Sequence, residues 1–242
     1  MRDPSRAAHR GRRGGRGVID QALGVAARYR NLRAEIDAEA RNCGREPASV
    51  VLVGVGKKQP ARAIEAAIDA GLTDLGENYL QEARQKFGLL PAVRKHFIGH
   101  LQTNKAKAIV DVFDVVQSVD RLEAGLALAR AADTVAKRLP VLLQVNVSPA
   151  ERFGCAPDEA AGLAEALRSQ PGLRLDGIMA IGPVTPDRDA ISRAFEVAAK
   201  TFGRVGGTTL SIGMSADWRE AVRAGSTMVR IGTALFGGRE NP

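Results

Sequence analysis

Hydrophobic positions recur at helical spacing from Val18 to about Cys43, at Ile19, Leu23, Ala26, Ala27, Leu32 and Ile36, and the pattern stops at the turn-like stretch from Gly44 to Pro47. Residues three and four apart share one helix face, so this spacing predicts a leading helix. Beyond it, short β-branched runs alternate with longer helical stretches. The runs are Val50–Val55, Asp74–Leu75, His96–Ile98, Val112–Val116, Val141–Val147, Leu173–Met179, Thr209–Ile212 and Met228–Ile231. Helical periodicity between them covers Ala61–Ala70, Arg121–Arg138, Pro157–Arg168, Asp187–Phe202 and Asp217–Ala224, among others. Apolar strands alternating with amphipathic helices are the mark of parallel βαβ units, whose strands are covered on both faces. About eight such units close a TIM-type barrel. The expected fold is therefore α/β, a single TIM-type (β/α)8 barrel over residues 18–242 with an extra N-terminal helix.

A doubly wound open sheet uses the same alternation. A dinucleotide-binding sheet would carry G-x-G-x-x-G after its first strand, whereas Gly54-Val55-Gly56 is followed here by Lys57-Lys58-Gln59-Pro60. The glycine pattern favours the barrel.

The chain has 242 residues, which suits one domain, and its 45% apolar and 26% charged content is ordinary for a soluble protein. The net charge of +8 changes that picture only locally. Six arginines between Arg2 and Arg16, offset by Asp3, place +5 in the first 17 residues and leave about +3 for the rest. That Arg/Gly-rich stretch lacks apolar periodicity, so residues 1–17 are expected to form a disordered tail. With aromatics at 4%, there is little for bases to stack on, and nucleic-acid binding is not the expected function. Cys43 and Cys155 are too few for a disulfide framework and have no metal-ligand spacing, which fits a cytoplasmic location. No run approaches the roughly 20 apolar residues that span a bilayer. The Arg-rich start has no apolar core of a secretory signal, which leaves a mitochondrial-type presequence as the alternative to a plain tail.

Barrel chemistry collects at the carboxyl ends of the strands. Those ends deliver Lys57, then Gly76-Glu77-Asn78, Gly99-His100, Gln117-Ser118-Val119-Asp120, Asn146, Gly213-Met214-Ser215 and Arg230-Ile231-Gly232-Thr233. The loops after strands seven and eight are the usual phosphate position in such barrels. Ser215 can cap the helix that begins near Asp217, and Gly232 allows close backbone approach beside the Thr233 hydroxyl. Taken singly, these are a helix cap and a turn, and Lys57 is a loop lysine. Lys57 follows a nearly all-apolar strand, however, where partial desolvation suits an amine that attacks a carbonyl. An aldehyde bearing a phosphate needs both features. The histidines show no metal spacing, and Ser211 and Ser215 lack a nucleophile elbow. Cys155 follows Gly154 with no base in sequence and is expected to be a structural thiol.

The motifs Val51-Leu52-Val53-Gly54-Val55-Gly56-Lys57, Leu75-Gly76-Glu77-Asn78-Tyr79, His96-Phe97-Ile98-Gly99-His100-Leu101-Gln102 and Gly225 through Gly237 resemble those of one family. It is the YggS/PROSC-type pyridoxal phosphate homeostasis proteins, single-domain relatives of the alanine racemase barrel. The resemblance implies a fold type III barrel that binds pyridoxal 5'-phosphate as a Schiff base on Lys57. It implies a phosphate held by Ser215, Gly232 and Thr233, with Arg230 facing the pyridine nitrogen and Asn78 and Met214 lining the cofactor. A guanidinium has no acceptor, so that nitrogen would stay unprotonated and the ring would be a weak electron sink. The family's Ser-Lys-Thr-Lys-Pro is Gly56-Lys57-Lys58-Gln59-Pro60 here, and Arg152 stands where a lysine is common. These departures bear on auxiliary lysines and not on the anchor. Racemases of the superfamily add a second domain carrying another acid/base group, and this sequence stops shortly after Phe236-Gly237-Gly238. The implied function is buffering and delivery of the cofactor to apo forms of pyridoxal-phosphate enzymes by a monomer without turnover, the alternative being a racemase-like enzyme.

Overall fold

The structure is a computed structural model that describes residues 10–150 and 152–238. A long helix, α1 (Arg10–Asn42), leads into eight strands: β1 (Val51–Val55), β2 (Asp74–Glu77), β3 (Arg94–Phe97), β4 (Val115–Val119), β5 (Leu139–Val145), β6 (Leu173–Ala180), β7 (Thr209–Ser211) and β8 (Met228–Ile231). They form one closed parallel barrel in sequential order, and Val51 to Gly54 of β1 pair with Met228 to Ile231 of β8 to complete it. Seven of the connections carry a helix: α2 (Ala61–Asp69), α3 (Leu80–Phe87), α4 (Ala106–Val112), α5 (Leu122–Asp133), α6 (Ala160–Arg168), α7 (Arg188–Val205) and α8 (Trp218–Arg223). The short α9 (Thr233–Phe236) follows β8. This is the expected TIM-type (β/α)8 barrel.

α1 begins at Arg10, ahead of Val18 where its apolar pattern starts. The remaining residues of the expected disordered tail, 1–9, lie outside the described residues. A helix whose later turns are packed gains one hydrogen bond per residue added, so it can propagate through a segment without apolar periodicity. Val25, Leu32, Ile36 and Ala40 are the buried face of α1, set against α2, α8 and α9 on the outside of the barrel. Polar contacts strap it there. Arg28 donates from Nε to Leu235 O at 2.8 Å and from Nη2 to Phe236 O at 3.1 Å, satisfying carbonyls at the end of α9. Tyr29 donates to Gly71 O at 2.7 Å, and Arg223 pairs with Glu39 at 2.7 Å.

Most apolar burial lies between the strands and the helical ring. Phe113 packs edge-on against Phe87 at 5.5 Å and Phe97 at 5.1 Å, joining α3 and the end of α4 to β3. That packing corrects one expected strand. The run Val112–Val116 is not β4: α4 ends at Val112, Ile109, Val110 and Phe113 are core residues, and the strand starts only at Val115. A short apolar run reads alike as strand or buried helix. As a result Gln117 and Ser118 lie within β4 and are buried, not at its mouth.

Gly213 leaves β7 at a φ of +96°, and a Cβ there would stand 2.5 Å from Ala221 Cβ, so a glycine lets the chain pass under α8. Within the barrel, Asp74, His96, Gln117, Ser211 and Arg230 form a buried polar set linked by hydrogen bonds. Arg28→Ala is expected to remove two charge-assisted bonds and lower stability by about 1.5–3 kcal/mol, read as a loss of roughly 3–10 °C in thermal midpoint.

Candidate functional site

Lys57 sits half-buried in the turn that follows β1. The turn is pinned on both sides of it. Gly56 donates to Gly76 O at 2.9 Å, Gly56 O accepts from Lys86 Nζ at 2.9 Å, and the Lys58 amide donates to Glu82 Oε2 at 2.8 Å. Lys58 has a φ of 58°, a left-handed conformation that a non-glycine residue holds only when its surroundings enforce it. Lys86 Nζ is the hub, lying 2.7 Å from Glu82 Oε2 and 3.3 Å from Glu77 Oε2.

Glu77 is only 1% exposed, and burial pushes its carboxyl up while Lys86 and the Asn78 amide oppose the shift. Its Oε1 accepts from the amides of Asn78 at 2.8 Å and Tyr79 at 3.4 Å, which bends the chain at the end of β2. A Cβ on Gly99 would stand 2.0 Å from Asn78 O, so the loop after β3 needs a glycine to lie against this bend. Asn78 Oδ1 is buried with no hydrogen-bond partner among the described residues.

Because β1 pairs with β8, the loop holding Gly232 and Thr233 stands beside Lys57. A Cβ on Gly232 would lie 3.6 Å from Val55 Cβ, an ordinary contact, so the neighbouring chain leaves room there. Ser215 does not cap α8 as its position suggested. Asp217 holds the N-cap position and accepts the Met214 amide at 2.5 Å. The Ser215 hydroxyl instead crosses to the next loop and accepts the amides of Gly232 at 3.3 Å and Ala234 at 3.2 Å. Two amides and a hydroxyl thus converge beside an exposed Thr233, with Met214 half-buried alongside. With the two amides taken by the Ser215 oxygen, the hydroxyl hydrogens of Ser215 and Thr233 are left to meet an anion such as a phosphate.

Arg230 is buried, 4% exposed, with Nη1 donating to Ser211 O and Oγ, both at 2.7 Å, and Nη2 to Ala180 O at 2.9 Å. None of its side-chain hydrogen bonds among the described residues uses Nε. Burial pulls the guanidinium down to about 10, against the field of Asp217, so it stays a cation at neutral pH. Lys57, Asn78, Met214, Ser215, Arg230, Gly232 and Thr233 therefore come from β1, β2, β7 and β8 to one sector of the mouth. An orphaned Asn78 oxygen, an anion cradle, a cation with an open donor and a pinned lysine fit a phosphorylated pyridine aldehyde.

A cavity of about 430 Å³ opens on another sector, lined by Gln144, Asn146, Arg152, Phe153 and Ile181 at the ends of β5 and β6. His100 stacks on Phe153 at 3.9 Å there. It lies beside the converging residues and does not contain Lys57, so the chemistry and not the cavity size defines the site. Burial pushes the Cys155 thiol up to about 12, which fits a structural residue.

Sequence reasoning missed Glu77, Glu82 and Lys86 as the clamp on the lysine turn. Their signal was present: Glu82 and Lys86 are four apart on a helix, where opposite charges meet. It also placed Gln117 at the mouth, whereas β4 carries it inside.

An α/β barrel with these features is a class that comparison recognises. Residues 31–240 match the family described as alanine racemase, N-terminal domain. The chain is 44% identical over 221 residues to the pyridoxal phosphate homeostasis protein of Pseudomonas aeruginosa, covering 89% of this chain and 96% of the relative. It is 39% identical over 230 residues to the protein of that name in Escherichia coli, covering 89% and 97%. The chain belongs to the pyridoxal phosphate homeostasis protein family. Among solved structures it is similar to PipY of Synechococcus elongatus with pyridoxal phosphate bound, at 32% identity and a TM-score of 0.79, covering 88% of this chain and all of that one. An alanine racemase of Clostridium difficile shares the fold at 13% identity and a TM-score of 0.66, covering 84% of this chain and 56% of that one.

Lys86→Met should leave Glu77 as an unpaired buried carboxylate and release Gly56 O. The expected loss is about 3 kcal/mol, or roughly 10 °C in thermal midpoint, with faster amide exchange at Lys58.

Proposed function

We propose that this protein binds pyridoxal 5'-phosphate at the barrel mouth and buffers and delivers it without catalytic turnover. One observation carries this reading: a lysine on a pinned turn stands beside a phosphate-type cradle, because β1 and β8 are neighbours in the closed barrel. Bound there, pyridoxal phosphate supplies an aldehyde that reacts with amines. Lys57 is the anchor, through a Schiff-base linkage at Nζ. Ser215 and Thr233 hold the phosphate through their hydroxyls, and the amides of Gly232 and Ala234, which donate to Ser215 Oγ in the free chain, turn to it on binding.

Arg230 offers Nε–H to the ring nitrogen. A permanently charged donor keeps that atom unprotonated, and a ring so held does not draw electrons strongly from a substrate. Asn78 supplies an unpaired oxygen at the rim, and Met214 an apolar contact. Delivery is supported by the open setting of Thr233 and Ala234, which leaves the phosphate end accessible to apo forms of pyridoxal-phosphate enzymes. The absence of turnover is supported by the name its relatives carry over nearly their full length.

Purified protein is expected to show a visible absorption band that Lys57→Ala abolishes, and to restore activity to an apo-enzyme when mixed with it. A band that survives in Lys57→Ala would refute the anchor. Lys57-dependent deuterium exchange at the α-carbon of a free amino acid at a catalytic rate would replace the carrier by a racemase-like enzyme.

A further inference from the structure

No carboxylate among the described residues forms an ion pair with the buried guanidinium of Arg230; Asp217 acts on it only through its field. A buried charge without compensation costs several kcal/mol. Besides the field of Asp217, the guanidinium is tied into a chain of hydrogen bonds through the barrel. A guanidinium only donates, so Ser211 Oγ accepts from Arg230 Nη1, and the Ser211 hydrogen goes to Gln117 Oε1 at 2.7 Å. With its carbonyl used, Gln117 turns Nε2 toward His96 Nδ1 at 2.9 Å and Met228 Sδ at 3.2 Å, both acceptors.

His96 Nδ1 is therefore bare. Nε2 carries the hydrogen and donates to Asp74 Oδ1 at 2.8 Å, while Thr73 donates to Asp74 Oδ2 at 2.7 Å. Turning the Gln117 amide over would leave the Ser211 hydrogen without an acceptor and set a carbonyl against the thioether. Every hydrogen in the chain thus points from Arg230 toward Asp74. That is the polarity a cation at one end and an anion at the other require, and aligned dipoles reinforce one another in a low dielectric.

We infer that Asp74, His96, Gln117 and Ser211 form a positioning relay that ties the buried Arg230 guanidinium through hydrogen bonds to a buried carboxylate and thereby sets the strength of cofactor binding at the mouth. All four are buried, between 0% and 7% exposed. Burial pushes the Asp74 carboxyl up, but the bonds from His96 and Thr73, with the nearby charge of Arg94, outweigh it and hold the group below its ordinary value. With its Nη groups tied to Ser211 and Ala180, Arg230 keeps Nε free to donate. The relay itself stands on the hydrogen bonds; its effect on the cofactor rests on the function proposed above.

Two measurements test it separately. In the cofactor-free protein, long-range nitrogen–proton correlation spectra should show His96 with its hydrogen on Nε2. Ser211→Ala, which touches His96 only through Gln117, should shift the His96 Nδ1 resonance, and Ser211→Thr should restore it. In a titration with pyridoxal phosphate, Asp74→Asn keeps the shape, removes the charge and should weaken binding about tenfold at a temperature where circular dichroism shows the fold intact. A His96 hydrogen on Nδ1, an unmoved His96 resonance in Ser211→Ala, or wild-type affinity in Asp74→Asn would overturn the relay. If Ser211→Ala does not fold, the wild-type tautomer and the Asp74→Asn affinity decide: both as stated support the relay, and either one contrary overturns it. If the wild-type protein binds no cofactor, the proposed function fails, and the His96 spectra alone decide the relay.

Discussion

A guanidinium inside a closed barrel must find all of its acceptors there, and the placement of Arg230 imposes this on the whole molecule. Its Nη groups consume the last carbonyl of β6, the last carbonyl of β7 and the Ser211 hydroxyl, so three adjacent strands must end in register around it. Closure of β1 onto β8 then sets Val53 beside both Arg230 and Asp74. The polar interior is thus part of what positions the strand ends. An apolar plug of similar volume would pack as well, but it would not orient a donor toward the mouth.

The two flanks of the mouth are built by different means. On the β1–β2 flank, ion pairing does the work: Lys86 gathers Gly56 O, Glu77 and Glu82, and Glu82 in turn holds the Lys58 amide in its left-handed conformation. On the β7–β8 flank, backbone amides and one hydroxyl converge, with Gly213 allowing the approach to α8. A rigid lysine turn next to an open cradle suits a ligand that is held firmly at one end and reached from outside at the other.

Much of this was legible before the fold was known. The alternation of apolar runs with helical spacing predicted the barrel, because strands covered on both faces must be apolar. The strand ends alone offered Lys57, Ser215, Gly232 and Thr233 as candidates, whereas Asn78, Met214 and Arg230 took their proposed roles from the family resemblance. The partners of Ser215 were not, since its local sequence suits a helix cap and only the β8 loop, 17 residues away, offers the two amides it takes. Nor was Gln117, because its strand begins where a helix stops, and one apolar run supplies both. The relay from Arg230 to Asp74 joins residues from four strands whose inward direction emerges only once the barrel closes.

Lys57 is the proposed covalent anchor for pyridoxal phosphate in this barrel. Borohydride reduction of the cofactor-loaded protein, followed by peptide mass mapping, tests it most directly. One reduced pyridoxyl-phosphate adduct, located on Lys57, is expected. An adduct on Lys58 or Lys86 with Lys57 unmodified, or a loaded protein without any adduct, would contradict it.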